Sequence, residues 1–513
     1  MSLSALSTEL DTKIVLYLAN DTPALSAFSK ISKYYRGVAE PYLYKDIVLI
    51  DQDDHTIKQL FCTLLARTQL AHQIRSITVQ KPKRNIIAKD GERIDADLWK
   101  SVGAIQSTMN DIASPIRGYE EGVTRRNAWF SGIFSPESYN IDHILALILC
   151  LAPNLDSLNL YQGFRPSAYA PIHSVLRQPW KGEETPFGKF TALKLAGHAM
   201  DYRSCPLLPS MISCELRETN IMNLGEIPPL HEPLPMPTQP LLQRIVLIGV
   251  QNFSPTLLEK MVNDFSLRNL KELTIEKCGR VMPHSQWDLD GLTRALKDGT
   301  PILEHLRWTS QYVDDEVPQQ SHPRFRCLKI LDKLHTLYVD FDLLVSLHDD
   351  DLGTLADPHA VFPPHLENLT LDRCHVRYLN KVIEKLHVHI EAADDQTEEI
   401  EMAVTWLASK FPLKRLALII SLERWDYSTR KTLPEELERS DVVFFRYAAD
   451  VLFKTGLVFE VLRKPYHFDD APKLLIKHGF TAPLPHSFES LYRKLGYDHE
   501  RSTDSDYSDE SDE

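Results

Sequence analysis

Leu270-Lys271-Glu272-Leu273-Thr274-Ile275 sets apolar residues at the first, fourth and sixth places of a short stretch. In an extended chain Leu273 and Ile275 point to one side, and Glu272, Thr274 and Glu276 to the other. The spacing recurs in both directions. Before it come Leu155/Leu158/Leu160, Phe190/Leu193/Leu195, a weaker Met211/Cys214/Leu216, and Leu242/Ile245/Leu247. After it come Leu303/Leu306/Trp308, Leu334/Leu337/Val339, Leu366/Leu369/Leu371 and Leu413/Leu416/Leu418, and Ile74/Ile77/Val79 is an outlying first copy. From Met211 to Leu366 the starts lie 31, 28, 33, 31 and 32 residues apart. One such triplet means little, because leucine is common, but a run at near-constant spacing marks a repeated unit. Each unit would give one short strand and a return segment. Stacked units bury a shared core that none could bury alone.

The return segments predict helices where they are readable. Leu257, Leu258, Met261, Val262 and Phe265 fall at helical spacing, as do Leu289, Leu292 and Leu296, and Ile400, Val404 and Leu407. The apolar run from Ile144 to Ala152 predicts a helix entering the Leu155 strand. A strand with a helical return at this period is the pattern of a leucine-rich repeat. Insertions at 163–189, 226–240 and 375–410 make the repeat irregular. The second carries six prolines and is expected as a rigid surface loop. Residues 81–140 show some helical character at 95–111 and otherwise read as loop. Beyond 420 the repeat stops. Asp441–Leu452 predicts a helix and Leu457–Leu462 a strand, together a cap over the last repeat.

At the start of the chain Leu10, Ile14 and Leu18 are four apart and predict one face of a short helix. Thr22 offers an N-cap oxygen, Pro23 suits a first helical position, and Leu25 and Phe28 share a face of the second helix. About forty residues seldom bury enough apolar surface to stand alone. These helices should therefore complete their core against something else. The stretch resembles an F-box through Leu6, Glu9, Leu10, Ser32, Lys33, Tyr35 and Arg36, with Ser7 where the family pattern has proline. The repeats, and the Glu40–Leu49 junction leading into them, resemble the irregular leucine-rich repeats of fungal-type F-box proteins.

That resemblance implies an α/β architecture: an N-terminal helical F-box followed by a leucine-rich-repeat solenoid with a curved parallel sheet and convex-side helices. The expected divisions are 1–45 for the F-box-like module, 46–140 for a linker and possible first repeat, 141–420 for the solenoid, 421–497 for the cap and 498–513 for a disordered acidic tail. It also implies a Skp-type adaptor and, through it, a cullin–RING ubiquitin ligase as partners, with an unidentified protein target. The adaptor-facing residues would be Leu6, Leu10, Ile14, Leu18, Leu25 and Phe28. An apolar stripe of this kind also serves as plain core. The alternative is a scaffold whose helices merely cap the repeats.

The formal net charge of −14 opposes a general phosphate-backbone binder, so no nucleic-acid partner is expected. Half of that charge lies after Tyr497, where eight acidic residues meet one arginine. Such a tail has too little apolar surface to repay ordering, and its hydroxyls, Thr503 foremost, sit among acids. Seven scattered cysteines without a C-x-x-C spacing predict free thiols in a reduced compartment, cytoplasmic and/or nuclear. Glu9, Asp11 and Lys13 interrupt any secretory pattern, and no apolar run is long enough to span a membrane. No G-x-S-x-G, Walker-type loop, H-E-x-x-H or dinucleotide fingerprint occurs, so a non-catalytic protein without metal or cofactor is expected. His387/His389 and Asp349–Asp351 lack the further ligands a metal site needs. The remaining candidates stand on the concave face: Tyr161, Lys194, Arg217, Arg244, His305, Arg307, Tyr338 and Asp340. Tyrosine and arginine are frequent interface anchors.

Overall fold

The computed structural model describes residues 8–19, 21–50, 54–80, 141–161, 187–196, 199–201, 210–217, 220–222, 241–250, 255–265, 267–278, 288–310, 325–340, 343–344, 362–374, 412–420, 423–426, 431–434, 439–454, 456–463 and 472–481, with positions 103, 106–107, 172 and 175. Leu6, the proline-rich insertion, His387 and His389, Asp349–Asp351, the helix expected at 399–410 and the acidic tail lie outside them. The chain divides into two compact units, 1–365 and 366–513.

The first unit begins with three helices, α1 (Thr8–Leu18), α2 (Thr22–Ser29) and α3 (Lys33–Leu43). The cap of α2 is Asp21 rather than the expected Thr22. The Asp21 carboxylate accepts from Ala24 N–H at 3.0 Å, one residue ahead of the hydroxyl, and Pro23 falls within the first turn. Ser32 caps α3 by accepting from Tyr35 N–H at 3.2 Å. The three helices close on Val15, Leu25, Phe28, Tyr35 and Ala39, with Ile14, Leu18, Val38, Tyr42 and Leu43 packed around them.

A parallel sheet begins directly after α3. In chain order its strands are β1 (Asp46–Ile50), β2 (Ser76–Gln80), β3 (Ser157–Tyr161), β4 (Ala192–Ala196), β6 (Ser213–Arg217), β8 (Arg244–Ile248), β9 (Glu272–Cys278), β10 (His305–Ser310) and β11 (Thr336–Asp340). Each pairs in parallel with the next in this order. The short strands β5 (Ala199–Asp201) and β7 (Asn220–Met222) form a separate parallel pair. The sheet opens one strand earlier than the repeat pattern indicates. Asp46–Ile50 lacks the leucine triplet but supplies Ile47 and Leu49 to the inner face.

Register explains the spacing of the triplets. Ile245, Leu273, Leu306 and Leu337 are cross-strand partners and form one column. Leu247, Ile275, Trp308 and Val339 form the next. All eight are at most 3% exposed. The connecting helices are α4 (Asp54–Ala66), α5 (Thr68–Ala71), α6 (Ile141–Leu151), α7 (Pro255–Phe265) and α8 (Leu289–Gly299). Leu60 of α4 and Leu145, Ile148 and Leu149 of α6 line one small apolar cavity together with Ile47, Ile77, Val79, Leu158 and Leu160 of the strands, which places these helices on the leucine face. Gly299 lets α8 approach α7, because a Cβ there would fall 2.1 Å from Val262 Cγ1. Trp308 is capped edge-on by Phe325, with ring centroids 5.6 Å apart.

The second unit has its own strands. β12 (Asn368–Cys374) pairs in parallel with β13 (Arg415–Ile420), and β13 with β16 (Val458–Arg463). Parallel pairing thus runs into the stretch expected only as a cap. It ends there: β17 (Lys473–Lys477) and β18 (Phe480–Thr481) are antiparallel. Gly479, at φ 70°, makes their turn, a conformation that favours glycine. Between β13 and β16 lie the antiparallel ribbon β14 (Glu423–Asp426) with β15 (Lys431–Pro434), and α9 (Arg439–Lys454). Phe445 of α9 stacks on Phe459 of β16.

Candidate interaction surfaces

The three-helix stretch carries the first candidate. Helix α1 has two stripes of i, i+4, i+7 spacing. Asp11, Val15 and Leu18 turn inward, while Leu10, Ile14 and Tyr17 form the neighbouring stripe. The expected Leu10/Ile14/Leu18 face is therefore split by about one residue of helical turn. The cause is polar. The Tyr34 hydroxyl donates to Asp11 Oδ2 at 3.0 Å and draws that carboxylate between α1 and α3, where it is 2% exposed. Leu10 is 47% exposed, Leu16 54%, Tyr17 88%, Ile31 54% and Tyr34 49%. Leu25 and Phe28, expected on an adaptor-facing surface, are buried in the module's own core, and Ile14 and Leu18 are half-buried against it. The sequence pattern does not single out Leu16, Tyr17 or Ile31. Leu16 and Tyr17 interrupt the four-residue spacing, and only the sense of rotation of α1 reveals them.

Inside the module two buried polar atoms, Asp11 Oδ1 and Tyr35 Oη, have no hydrogen-bond partner among the described residues. Burial, then the Asp11 charge and Tyr34, push the Tyr35 phenol above its ordinary pKa. A stronger contact ties the module to the α4–α5 segment. Arg67, at the start of α5, holds Glu40 of α3 through both guanidinium ends at 2.7 and 2.5 Å. These hydrogen bonds keep the Glu40 carboxyl below its usual range.

The second candidate is the sheet face opposite the helices. Lys194 of β4 reaches Glu215 of β6 at 3.1 Å, and Arg217 engages the same carboxylate. Arg244 of β8 meets its register partner Glu272 of β9 at 2.9 Å. Arg307 of β10 meets Glu276 at 3.2 Å and lies over the ring of its register partner Tyr338 at 4.2 Å. Each of these cations is thus paired with a carboxylate on its own or a neighbouring strand. Burial of Glu215 would raise its pKa, but hydrogen bonds from Arg217 and Lys194 outweigh that and hold it low. His305 is exposed and Tyr161 half-buried, whereas Asp340 is fully buried and so takes no part in an outer surface.

Among the described residues no group of histidine, cysteine or acidic side chains could hold a metal ion. None of the described helices is long and apolar enough to cross a membrane. Burial pushes the Cys150 thiol far up, and burial with Asp290 pushes Cys327 up to about 11, so neither offers a thiolate nucleophile at neutral pH. No protein-family model and no curated protein sequence matches the chain.

Proposed function

We propose that the chain is the substrate receptor of a Skp–cullin–F-box ubiquitin ligase, with its strand stack acting as a leucine-rich-repeat solenoid that holds the target. The observation that carries this reading is a small three-helix module with Leu10, Leu16, Tyr17 and Ile31 exposed, placed two residues ahead of a parallel sheet whose far face carries Arg217, Arg244, Arg307 and Tyr338. In this role the chain makes and breaks no bonds. It holds a target beside a ubiquitin-loaded partner, and proximity replaces part of a bimolecular entropy cost. Leu10, Leu16, Tyr17 and Ile31 would meet the adaptor. The test is co-expression with a Skp-type adaptor. The wild-type chain should co-purify with it, and Leu10→Asp combined with Tyr17→Asp should not, while circular dichroism and the unfolding midpoint stay unchanged. Failure of the wild type to bind, or undiminished binding by the double variant, would sink the proposal.

A second reading is a scaffold in which the helices serve only to cap the solenoid. The bidentate Arg67–Glu40 contact favours it, because a cap needs a firm tie to the element it covers. Under that reading the apolar stripe binds no adaptor, and removal of residues 1–43 should destabilise the sheet.

A further inference from the structure

We propose that Lys194, Arg217, Arg244 and Arg307 form a docking strip for an acidic segment of a partner protein. Calling that partner a ligase target rests on the receptor reading, whereas the strip itself does not. The four cations stand on β4, β6, β8 and β10, with β9 lying between the last two. All occupy positions facing away from the leucine columns. With strands about 4.8 Å apart, the strip runs for roughly 20 Å, which an extended segment crosses in about six residues.

The depth of the charges gives the strip its sign. Glu215 is 4% exposed and Glu276 19%, whereas Lys194, Arg217, Arg244 and Arg307 are 40, 47, 43 and 41% exposed. Glu272, at 36%, is the shallowest of the three acids and is still less exposed than its arginine. Carboxylates therefore lie beneath, and cations stand above them. An arginine or lysine held this way has already lost much of its rotamer freedom, so a partner that meets it orders less on binding. Arg307 is the most fixed of the four, with Glu276 on one nitrogen and the Tyr338 ring under its guanidinium plane. Guanidinium groups suit carboxylates through their fork of donors.

The acids beneath also set a limit. They cancel most of the positive charge, so attraction acts at contact range and not by long-range steering. A sparse acid on a partner would gain little. A segment with several carboxylates within about six residues would meet the cations together. A basic segment would meet the cations first and be repelled.

The experiment uses the full chain and a fluorescent ten-residue peptide alternating aspartate and serine, read by anisotropy at low and at near-physiological ionic strength. A peptide with asparagine for every aspartate is the control. The acidic peptide should bind at low ionic strength and the control should not, and added salt should weaken binding as it screens exposed pairs. Arg217→Gln, Arg244→Gln and Arg307→Gln should each weaken binding about two- to fivefold, the range of a surface ion pair, and the triple variant should fall to background. Arg244→Lys keeps the charge but loses the fork, and should fall between the wild type and Arg244→Gln. The single variants guard against a triple variant that fails to fold. Absent binding by the wild type at low ionic strength, equal binding of the asparagine control, or single variants that bind like wild type would each overturn the strip. No adaptor enters this assay. Loss of the strip therefore leaves adaptor co-purification as an independent result, and loss of adaptor binding leaves the strip.

Discussion

In residues 8–43 five apolar side chains close a core while Leu10, Leu16, Tyr17, Ile31 and Tyr34 remain about half exposed or more. In strands β2 to β11 the paired inner positions, Ile77 and Val79 through Leu337 and Val339, are all at most 3% exposed. The two regions have similar building blocks but different geometry. A strand presents its apolar residues on one side at a period of two, the next strand in register extends the column, and helices packed on that face complete its burial. Three short helices around one small core have no such repeated neighbour among the described residues, and their outer stripes stay wet. The stack is therefore closed by repetition, whereas the module is left with apolar surface that a partner can use.

Deleting bulk from each region should separate them. Leu306→Ala empties the middle of a column in which Leu273 and Leu337 lie on either side. Truncations of this kind cost about 2–5 kcal/mol. Because neighbouring strands share the column, the loss should appear as a lower midpoint of the main unfolding transition. Leu25→Ala removes a comparable side chain from the module, where the surroundings are smaller and freer to collapse, so its cost should sit at the low end of that range. It should loosen residues 8–43 while the sheet persists, visible as hydrogen exchange that accelerates in the module alone. Equal global effects from both variants would show that module and sheet unfold as one unit.

A smaller effect is expected from the charged face. Glu215→Gln leaves Lys194 and Arg217 without their carboxylate and should cost about 1–2 kcal/mol, since both cations are partly solvated. The folded-state pKa of Glu215 is lowered. Its contribution is thus fully present above the unfolded carboxyl pKa and is lost as pH falls through the folded value. Glu40, held low by Arg67, adds a contribution of the same sign. Wild type and Glu215→Gln should differ by a constant amount above the ordinary carboxyl range and converge as pH falls below it. A gap that widens on acidification would contradict the assignment.

How much of the fold the sequence discloses depends on period and partner. The triplets locate β2, β3, β4, β6 and β8 to β13, because strand alternation and repeat length are both written in a single local pattern. Strand β1 escapes because Tyr44, not an aliphatic residue, stands in the leading place before Ile47 and Leu49. The charged face is half legible. Parity places Lys194, Arg217, Arg244 and Arg307 on one side, but nothing local marks Glu215 as the shared partner of two cations, because only register sets it beside Lys194. On α1 the period is right and the phase is not. Spacing does not show that Tyr34, twenty-three residues on, turns Asp11 inward and Leu10 outward.

That inward turn yields the smallest effect. Tyr35 is 4% exposed, its ring packs on Phe28 at 4.6 Å and on Tyr34 at 5.2 Å, and its hydroxyl has no hydrogen-bond partner among the described residues. A buried hydroxyl without a partner carries its desolvation cost with nothing to offset it. Tyr35→Phe keeps both ring contacts and removes that cost, so it should stabilise the module by up to about 1 kcal/mol. The gain should be confined to residues 8–43, as slower hydrogen exchange there and unchanged exchange in the sheet. The adjacent variant gives the opposite sign: Tyr34→Phe deletes the donor to Asp11 Oδ2 and, among the described residues, leaves both oxygens of a buried carboxylate without a donor. It should destabilise the same helices. If Tyr35→Phe weakens the module as Tyr34→Phe does, the hydroxyl has a partner of its own. The polar cluster would then be a closed network, not the point at which a tightly packed chain leaves its first helices incompletely satisfied.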